Sequence, residues 1–478
     1  MKRRVSILVA CVLFILTITT SSFAASSISK DMTVEYSGGK KTVKTVWIDL
    51  NDPTIRLDIV CANNKVGTTD SLKDIANLAK DDQTKVLAAI NGTYFNAYSD
   101  MQPSGTLISE GEVLHVTNSG TVFGIDGGND FSIVPLSIKI EGSINDSWVW
   151  PNNWYAWNIN QIFTESSSSV IFTPEYGTKT PVHKMTSIVV DNHIVTKISS
   201  GQVNIPSEGF VLVTGDNSQI SKFQVGYSAD YKITYNENDY DGATTDQPLS
   251  WNNIRSGVGA GPLLLKDSKI AVNAKKEGFT EEKITVSKAT RSFIGITNKN
   301  QLVIGVVDGV TVNEMAEIAK KLGLTDAMCL DGGASSGLLY NDTYLYKPGR
   351  DLSNAVVITQ LKNAPVRLQL NGKEIYFDKD PYIEASSNRT LVPMRKIFET
   401  LGASVSWASD STITAVKGDI TIKLKVDSDI ATVNGVEYKL ECPAVLRKGR
   451  TFVPLRFITE QFGGNVEMKD GIIRLNIY

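Results

Sequence analysis

The sequence predicts an α+β protein: a large domain built on a mixed sheet with at least one parallel βαβ segment, then a small duplicated α+β domain. Three observations carry that prediction. Residues 301–336 read as strand, helix, strand; residues 74–92 show the same helix-then-strand order ending in an Asx-Gly pair; and the C-terminal stretch holds one motif twice. With 478 residues, 42% hydrophobic and 21% charged, the chain has the apolar content that disordered chains lack. At about 100–200 residues per domain, its length fits two to four domains. The formal charge of -3 offers no basic excess, so nucleic acid is not a predicted partner.

In chain order, Lys2, Arg3 and Arg4 precede an apolar run from Val5 to Thr19, and Ser22-Phe23-Ala24 supplies small residues for cleavage. This reads as a secretory signal peptide over residues 1–24, because the run is shorter than the roughly 20 residues that span a bilayer. It predicts a secreted or cell-wall-associated chain, with no membrane contact after cleavage. Cys61, Cys329 and Cys442 then remain, an odd number that allows at most one disulfide.

The large domain is expected over residues 25–362. Leu302–Val307 is a short apolar run ending at Asp308-Gly309, as in a buried strand. Thr311 and Glu314 have capping-box spacing, and Met315, Ile318, Ala319 and Leu322 fall on one helical face before Gly323. Ala327–Leu330 reads as the next strand, followed by Asp331-Gly-Gly-Ala-Ser-Ser336. A crossover of this kind makes its two strands parallel and sets Asp308 and Asp331 at one sheet edge. Asp74–Lys80 matches Glu314–Lys320 at an offset of 240, and the same offset places Asn91-Gly92 on Asp331-Gly332. Two related halves presenting Asn91 and Asp331 to one cleft is the functional reading; two ordinary Asx-Gly turns is the plainer one.

Other residues have their own chemistry. Gly332 and Gly333, with Ser335 and Ser336, offer unhindered N–H groups and hydroxyls to a phosphate or sugar oxygen, and the 257–262 stretch around Gly261 is similar. Arg291 can hold a phosphate bidentately or serve as a structural charge. His115, His183 and His193 are the only histidines, and no metal-ligand spacing appears. No cofactor is predicted, although a divalent cation is compatible with the carboxylates. His183 and His193 read as proton carriers or as structural groups. Trp148, Trp150, Trp154 and Trp157 lie within ten residues, fit either for sugar stacking or for a core.

Taken together, Asn91-Gly-Thr-Tyr-Phe95, Pro103-Ser-Gly105, Phe172–Gly177, Ile205–Gly209, Ala260-Gly-Pro262, Thr290-Arg291, Val307-Asp-Gly309 and Leu330–Ser336 resemble the phosphodiester glycosidase family through most of residues 60–362. Thr93 stands where that family usually has a second glycine, and Pro348–Asn354, with Arg350, matches the family's arginine-bearing end only loosely. The resemblance implies hydrolysis of a sugar-1-phosphate diester of the N-acetylglucosamine-1-phosphodiester kind. Asp331, Asp308 and Arg291 would be catalytic, and Asn91, Gly92, Tyr94, Gly261, Gly332, Gly333, Ser335 and Ser336 would bind substrate. Cell-wall or extracellular polysaccharide is the substrate such an exported enzyme would meet. A phosphodiesterase cleaving the P–O bond and a non-catalytic wall or glycan binder are the alternatives.

The last domain is expected over residues 365–478. From Arg389 to Val405, nine of 17 positions are identical to those 61 residues later, the mark of a duplicated unit. In each copy Arg-Thr-x-Val-Pro leads into a short helix closed by Gly402 or Gly463, and Leu370-Asn-Gly372 and Val433-Asn-Gly435 read as hairpin turns. This segment resembles the family named after the copper amine oxidase N-terminal domain. Residues 364–478 contain no histidine, so histidine-ligated copper cannot be built there. Contact with a cell-wall polymer is the functional reading; ion pairs internal to the fold is the other.

Overall fold

The computed structural model describes residues 26–477, except 163–167, 238–246, 250, 252–253, 378, 408–411, 448–449 and 470; the signal peptide expected at 1–24 lies outside the described residues. Strands account for 52% and helices for 11%, so the protein is mostly β and the α+β expectation is corrected. The expected parallel βαβ segment fails for a specific reason. Strand Ala289–Thr297 pairs antiparallel with Gln301–Val310 on one side and with Leu324–Cys329 on the other. The helix between the latter two therefore joins strands that point the same way without being neighbours. Ala289–Thr297 and Gln301–Val310 are linked by a three-residue turn, where Asn300 adopts φ +57° and donates to the Thr297 carbonyl. Such a hairpin closes a short loop, and the local pairing occupies the edge that a parallel neighbour would need. Parallel pairings do occur elsewhere, between Asn158–Ile159 and Ser169–Phe172 and between Arg367–Leu370 and Ile472–Ile477.

The resulting seven-stranded sheet runs, in spatial order, Ser27–Tyr36, Gly39–Asp49, Gln301–Val310, Ala289–Thr297, Leu324–Cys329, Leu263–Lys266, Lys269–Ile270. A five-stranded sheet runs Thr343–Tyr346, Leu338–Tyr340, Thr84–Asn91, Asn354–Leu361, Ile55–Cys61. Alternate residues of both, among them Val46, Ile48, Leu57, Ile59, Ile90, Ile294, Ile304, Met328 and Val356, share one buried core. Each sheet is covered on its other face by a helix. Val312–Lys321 has the expected capping box between Thr311 and Glu314 and buries Met315, Ile318 and Ala319 on the seven-stranded sheet. Leu72–Leu78, capped by Ser71, buries Leu72, Ile75 and Ala76 on the five-stranded one. A further core joins the long strands Phe131–Ile144 and Ala229–Glu237 to the sheet containing Thr186–Asp191 and Gly209–Thr214.

Residues 368–475 supply a core of their own, built on Val392, Ile397, Phe398, Ile413, Ile422, Val453, Ile458 and Leu475. The duplicated strands Arg389–Pro393 and Arg450–Pro454 pair antiparallel, and Val392 faces Val453, its counterpart 61 residues on. The two copies are thus related by a local twofold axis through that pair. Both hairpin turns form as expected, with φ +48° and +82° at Asn371-Gly372 and +49° and +83° at Asn434-Gly435. The repeat meets the rest of the chain through Asp380, which lies 2.7 Å from Arg56 and 3.2 Å from Arg255. These arginines hold its carboxyl far below the ordinary range against the opposing effect of burial. Cys61, Cys329 and Cys442 are all buried and free.

Candidate active site around Asp331

The two main sheets come together at the end of strand Leu324–Cys329. The Leu330 N–H donates to the Ser292 carbonyl of the seven-stranded sheet, 2.9 Å, and the next N–H, of Asp331, donates to the Gly92 carbonyl beyond the five-stranded one, 3.0 Å. The Asp331 side chain stands at this seam, half-buried. Its carboxylate accepts from the Gly332 N–H at 2.8 Å and from the Ser335 hydroxyl. Burial raises its pKa from 3.8 to about 6, although both hydrogen bonds and the charges of Arg350 and Lys283 pull the other way. A carboxyl that titrates near neutrality can exchange a proton at working pH.

Asn91 meets Asp331 as the 240-residue offset suggests, but in a different role. Its Nδ2 donates to the Asp331 carbonyl at 2.6 Å, while its Oδ1 accepts from the Ser292 hydroxyl at 2.7 Å and from the Gly337 N–H at 3.0 Å. Fully buried and bonded at both ends, Asn91 ties the two sheets together beneath the site. Gly92 has to be glycine, since a Cβ there would lie 1.9 Å from Asn354 Oδ1, the atom that accepts the Thr93 N–H. Tyr94 donates to the Gly261 carbonyl at 2.8 Å and packs on Phe279; burial pushes its phenol well above the usual value, with Asp331 among the charges acting on it. Ser336 is buried behind Ser335. Asn91, Gly92, Tyr94, Gly261 and Ser336 thus form the support of the site, while Asp331, Gly332, Gly333 and Ser335 form its lip.

Arg291 is buried, and backbone carbonyls hold it in place: Nε donates to Val310, and Nη2 to Lys283 and Ser287, at 2.7 to 3.2 Å. Among the described residues nothing bonds its Nη1, which lies 3.9 Å from where a Gly332 Cβ would be. The same built Cβ would lie 2.8 Å from the Thr290 carbonyl, so only glycine lets the 332 backbone lie against this strand. Asp308 is at the same sheet edge, as expected, but exposed, accepting from the Thr290 hydroxyl at 2.6 Å. Asp331 and Asp308 therefore flank Thr290-Arg291, one half-buried and one in solvent.

Three further groups lie at the site; of these the sequence pointed, loosely, to Arg350 alone. Arg350 donates to the Tyr98 hydroxyl at 3.0 Å and stacks on its ring, and its loop is tied to the 333–335 turn by the Gly349 N–H on the Ala334 carbonyl. Lys283 reaches the site from the short helix Glu282–Thr285. Glu277, buried behind Gly261, accepts from the Thr121 hydroxyl and the Leu263 N–H, and burial raises its pKa. Glu277 and Arg350 come from irregular loops and Lys283 from a single helical turn, where no periodicity marks a position.

The histidines lie on other elements. His115 is buried with Nδ1 on the Gly105 carbonyl, its pKa lowered to about 4 by burial. His193 pairs with Asp230 at 2.5 Å, which raises its pKa against burial, and the pKa of His183, near Ser187, is lowered by burial. Among the described residues no group of three or more His, Cys, Asp or Glu could hold a metal ion, and no helix is long and apolar enough to cross a membrane. A cavity of about 1250 Å³ lies away from Asp331. It lies beside the C-terminal repeat among Arg56, Asp58, Glu208, Asp380 and Arg395, whose charges are paired with one another: Arg56 with Asp380 and Arg395 with Glu208, while Asp58 pairs with Arg255.

Comparison with known proteins adds two family matches. Residues 184–359 match the phosphodiester glycosidase family, and residues 369–476 match the copper amine oxidase N-terminal domain. The first range contains Arg291, Asp308 and Asp331 and begins after Asn91. No curated protein matches. Among solved structures, a hypothetical protein from Synechocystis is 23% identical with a TM-score of 0.61, over 71% of this chain and 63% of that one. An exported protein of Burkholderia pseudomallei is 16% identical with a TM-score of 0.54, over 67% and 74%. The catalytic domain of zebrafish N-acetylglucosamine-1-phosphodiester alpha-N-acetylglucosaminidase, auto-inhibited by its pro-peptide, is 13% identical with a TM-score of 0.37, over 72% and 85%. The first two share this fold; this chain spans 63% of the Synechocystis protein's length.

Proposed function

We propose that the chain hydrolyses sugar-1-phosphate diesters, of the N-acetylglucosamine-1-phosphodiester kind, at Asp331. The phosphodiester glycosidase match supports the reaction class, and one observation supports the residue: a carboxyl with a pKa of about 6 at the seam of two sheets, under the charges of Arg350 and Lys283 and with Arg291 Nη1 against the neighbouring Gly332. In this reading water attacks the anomeric carbon, the C1–O bond to phosphorus breaks, and the electron pair leaves on a phosphate monoester. That leaving group is already stable as an anion, so strong acid assistance is not required, and one carboxylate can take the proton from water or stabilise an oxocarbenium-like centre. In the same reading Arg291 Nη1 and the Gly332-Gly333 backbone hold the phosphate, and Asp308 orients water from the solvent side. Secretion, read from residues 1–24, and polysaccharide of the cell wall or matrix as substrate belong to the same proposal.

The test uses the whole mature chain, wild type beside Asp331→Asn, on an α-N-acetylglucosamine-1-phosphate diester, with free sugar and sugar-1-phosphate assayed separately. Free sugar from wild type, reduced about 10²–10⁴-fold in the variant, is expected. Sugar-1-phosphate as product would replace the glycosidase with a phosphodiesterase, and equal rates in both proteins would remove Asp331 from the chemistry.

A further inference from the structure

The tryptophan-rich segment divides sharply in the structure. Trp154 is 1% exposed, whereas Trp150 is 82%, Trp157 59%, and Trp148 and Tyr155 each 38% exposed. The register explains the division. Strand Trp154–Ala156 pairs with Phe131–Ile144, which pairs in turn with Ala229–Glu237, giving one cross-strand row Trp154, Gly142, Tyr231 and the next row Tyr155, Glu141, Lys232. Neighbouring rows point to opposite faces. The first row faces the core: the Trp154 ring lies flat on Gly142, where a Cβ would be 1.9 Å away, and packs against Phe210, Phe223 and Tyr231. The second row faces solvent on a strand that Trp154 holds down.

That outer row has a defined layout. At one end Tyr155 and Trp157 form a corner, with ring centroids 5.5 Å apart and planes at 72°, and the Tyr155 hydroxyl donates to Asp216 at 3.1 Å. At the other end Trp148 lies under the Lys232 ammonium, 4.7 Å from the ring centroid. Between them Glu141 pairs with Lys139 and Lys232. Two aromatic pads, Tyr155–Trp157 and Trp148, thus flank a floor of charged hydrogen-bonding groups.

We infer that this outer face binds a polysaccharide strand, stacking pyranose rings on Tyr155–Trp157 and Trp148 and hydrogen-bonding their hydroxyls to Glu141, Lys139, Lys232 and Asp216. The site is additional to Asp331 and does not depend on the catalytic reading. The chemistry of the face favours this occupant. A protein partner's apolar core or an acyl surface would leave the central charges desolvated, and Val149 is the aliphatic side chain exposed beside the pads within residues 145–157. A sugar presents a C–H face and a rim of hydroxyls together, which suits aromatic rings flanking carboxylates and ammonium groups.

The experiment follows retention of the full mature chain on insoluble chitin, cellulose and isolated bacterial cell wall, and quenching of its tryptophan fluorescence by chitohexaose and cellohexaose. Wild type, Trp148→Ala/Trp157→Ala, Tyr155→Ala and Asp331→Asn are compared, with circular dichroism to confirm folding; the substituted aromatic rings are at least 38% exposed. The inference expects wild type and Asp331→Asn to bind at least one polysaccharide alike. The aromatic variants should lose roughly ten-fold or more in affinity while hydrolysing a small soluble diester at the wild-type rate. Retention equal in all variants, loss confined to Asp331→Asn, or no retention of wild type would overturn it. A wild-type dimer that the aromatic variants convert to monomer by light scattering would overturn it too, assigning the face to a second copy.

Discussion

The molecule contains two internally matching pairs of positions, and the structure treats them differently. In the C-terminal repeat the copies remain equivalent: Val392 pairs with Val453, and each lies in the same core beside the same kind of helix. In the large unit the matching positions Asn91 and Asp331 also touch, but unequally. Asn91 is buried with its amide saturated, while the backbone of Asp331 takes part in the same ties and its carboxyl stays at the surface of the seam. The difference teaches that a rigid neutral group on one side allows a half-buried titratable group on the other. A carboxylate in the place of Asn91 would add a second negative charge next to Asp331 and would lose the amide donor.

Breaking the tie should have the largest effect. Asn91→Ala leaves the Ser292 hydroxyl, the Gly337 N–H and the Asp331 carbonyl without their partner, and is expected to cost about 3 kcal/mol or more in urea unfolding. If it costs under ~1 kcal/mol, Asn91 is not the tie described. Asp331→Asn should act in the opposite sense on stability. The folded-state pKa lies above the ordinary 3.8, so wild type is most stable below that pH and loses stability as the pH rises through about 6. The variant lacks this loss and should gain up to about 3 kcal/mol at pH 7.5, and none below pH ~3.5. A gain that does not vary with pH would contradict the raised carboxyl.

In the symmetric pair, Val392→Ala and Val453→Ala should each cost about 1–2 kcal/mol, within about 0.5 kcal/mol of one another. Unequal costs would show that the copies have divided their labour as the large unit has. The smallest effect is expected from Arg350→Met. Its charge favours the carboxylate, so removing it should raise the acid limb of the pH–rate profile by a few tenths of a unit; a downward shift would place Arg350 elsewhere.

Local features were legible in the residues. The capping box of Thr311 and Glu314, the buried face of Met315, Ile318 and Ala319, both Asn-Gly hairpins and the glycine-terminated helices of the repeat are set by interactions within a few residues. The α+β class was not, because period-two patterning tells which face a side chain takes and nothing about which strand lies beside it. Glu277 on a loop and Lys283 on a single helical turn escaped notice, and Arg350 on a loop was marked only loosely, for the same reason, and the tryptophans became a divided set only when the register paired Trp154 with Gly142.

The amino-acid order alone therefore determined the short-range elements, the duplication and the Asx-Gly positions at the strand ends. The tertiary structure decided the rest: that Ala289–Thr297 separates two strands into an antiparallel sheet, and that Asn91 is closed off while the Asp331 carboxyl is raised to about 6. Strand neighbours and desolvation both arise from contacts between residues far apart in the chain, and those contacts exist only once the two sheets have closed on each other.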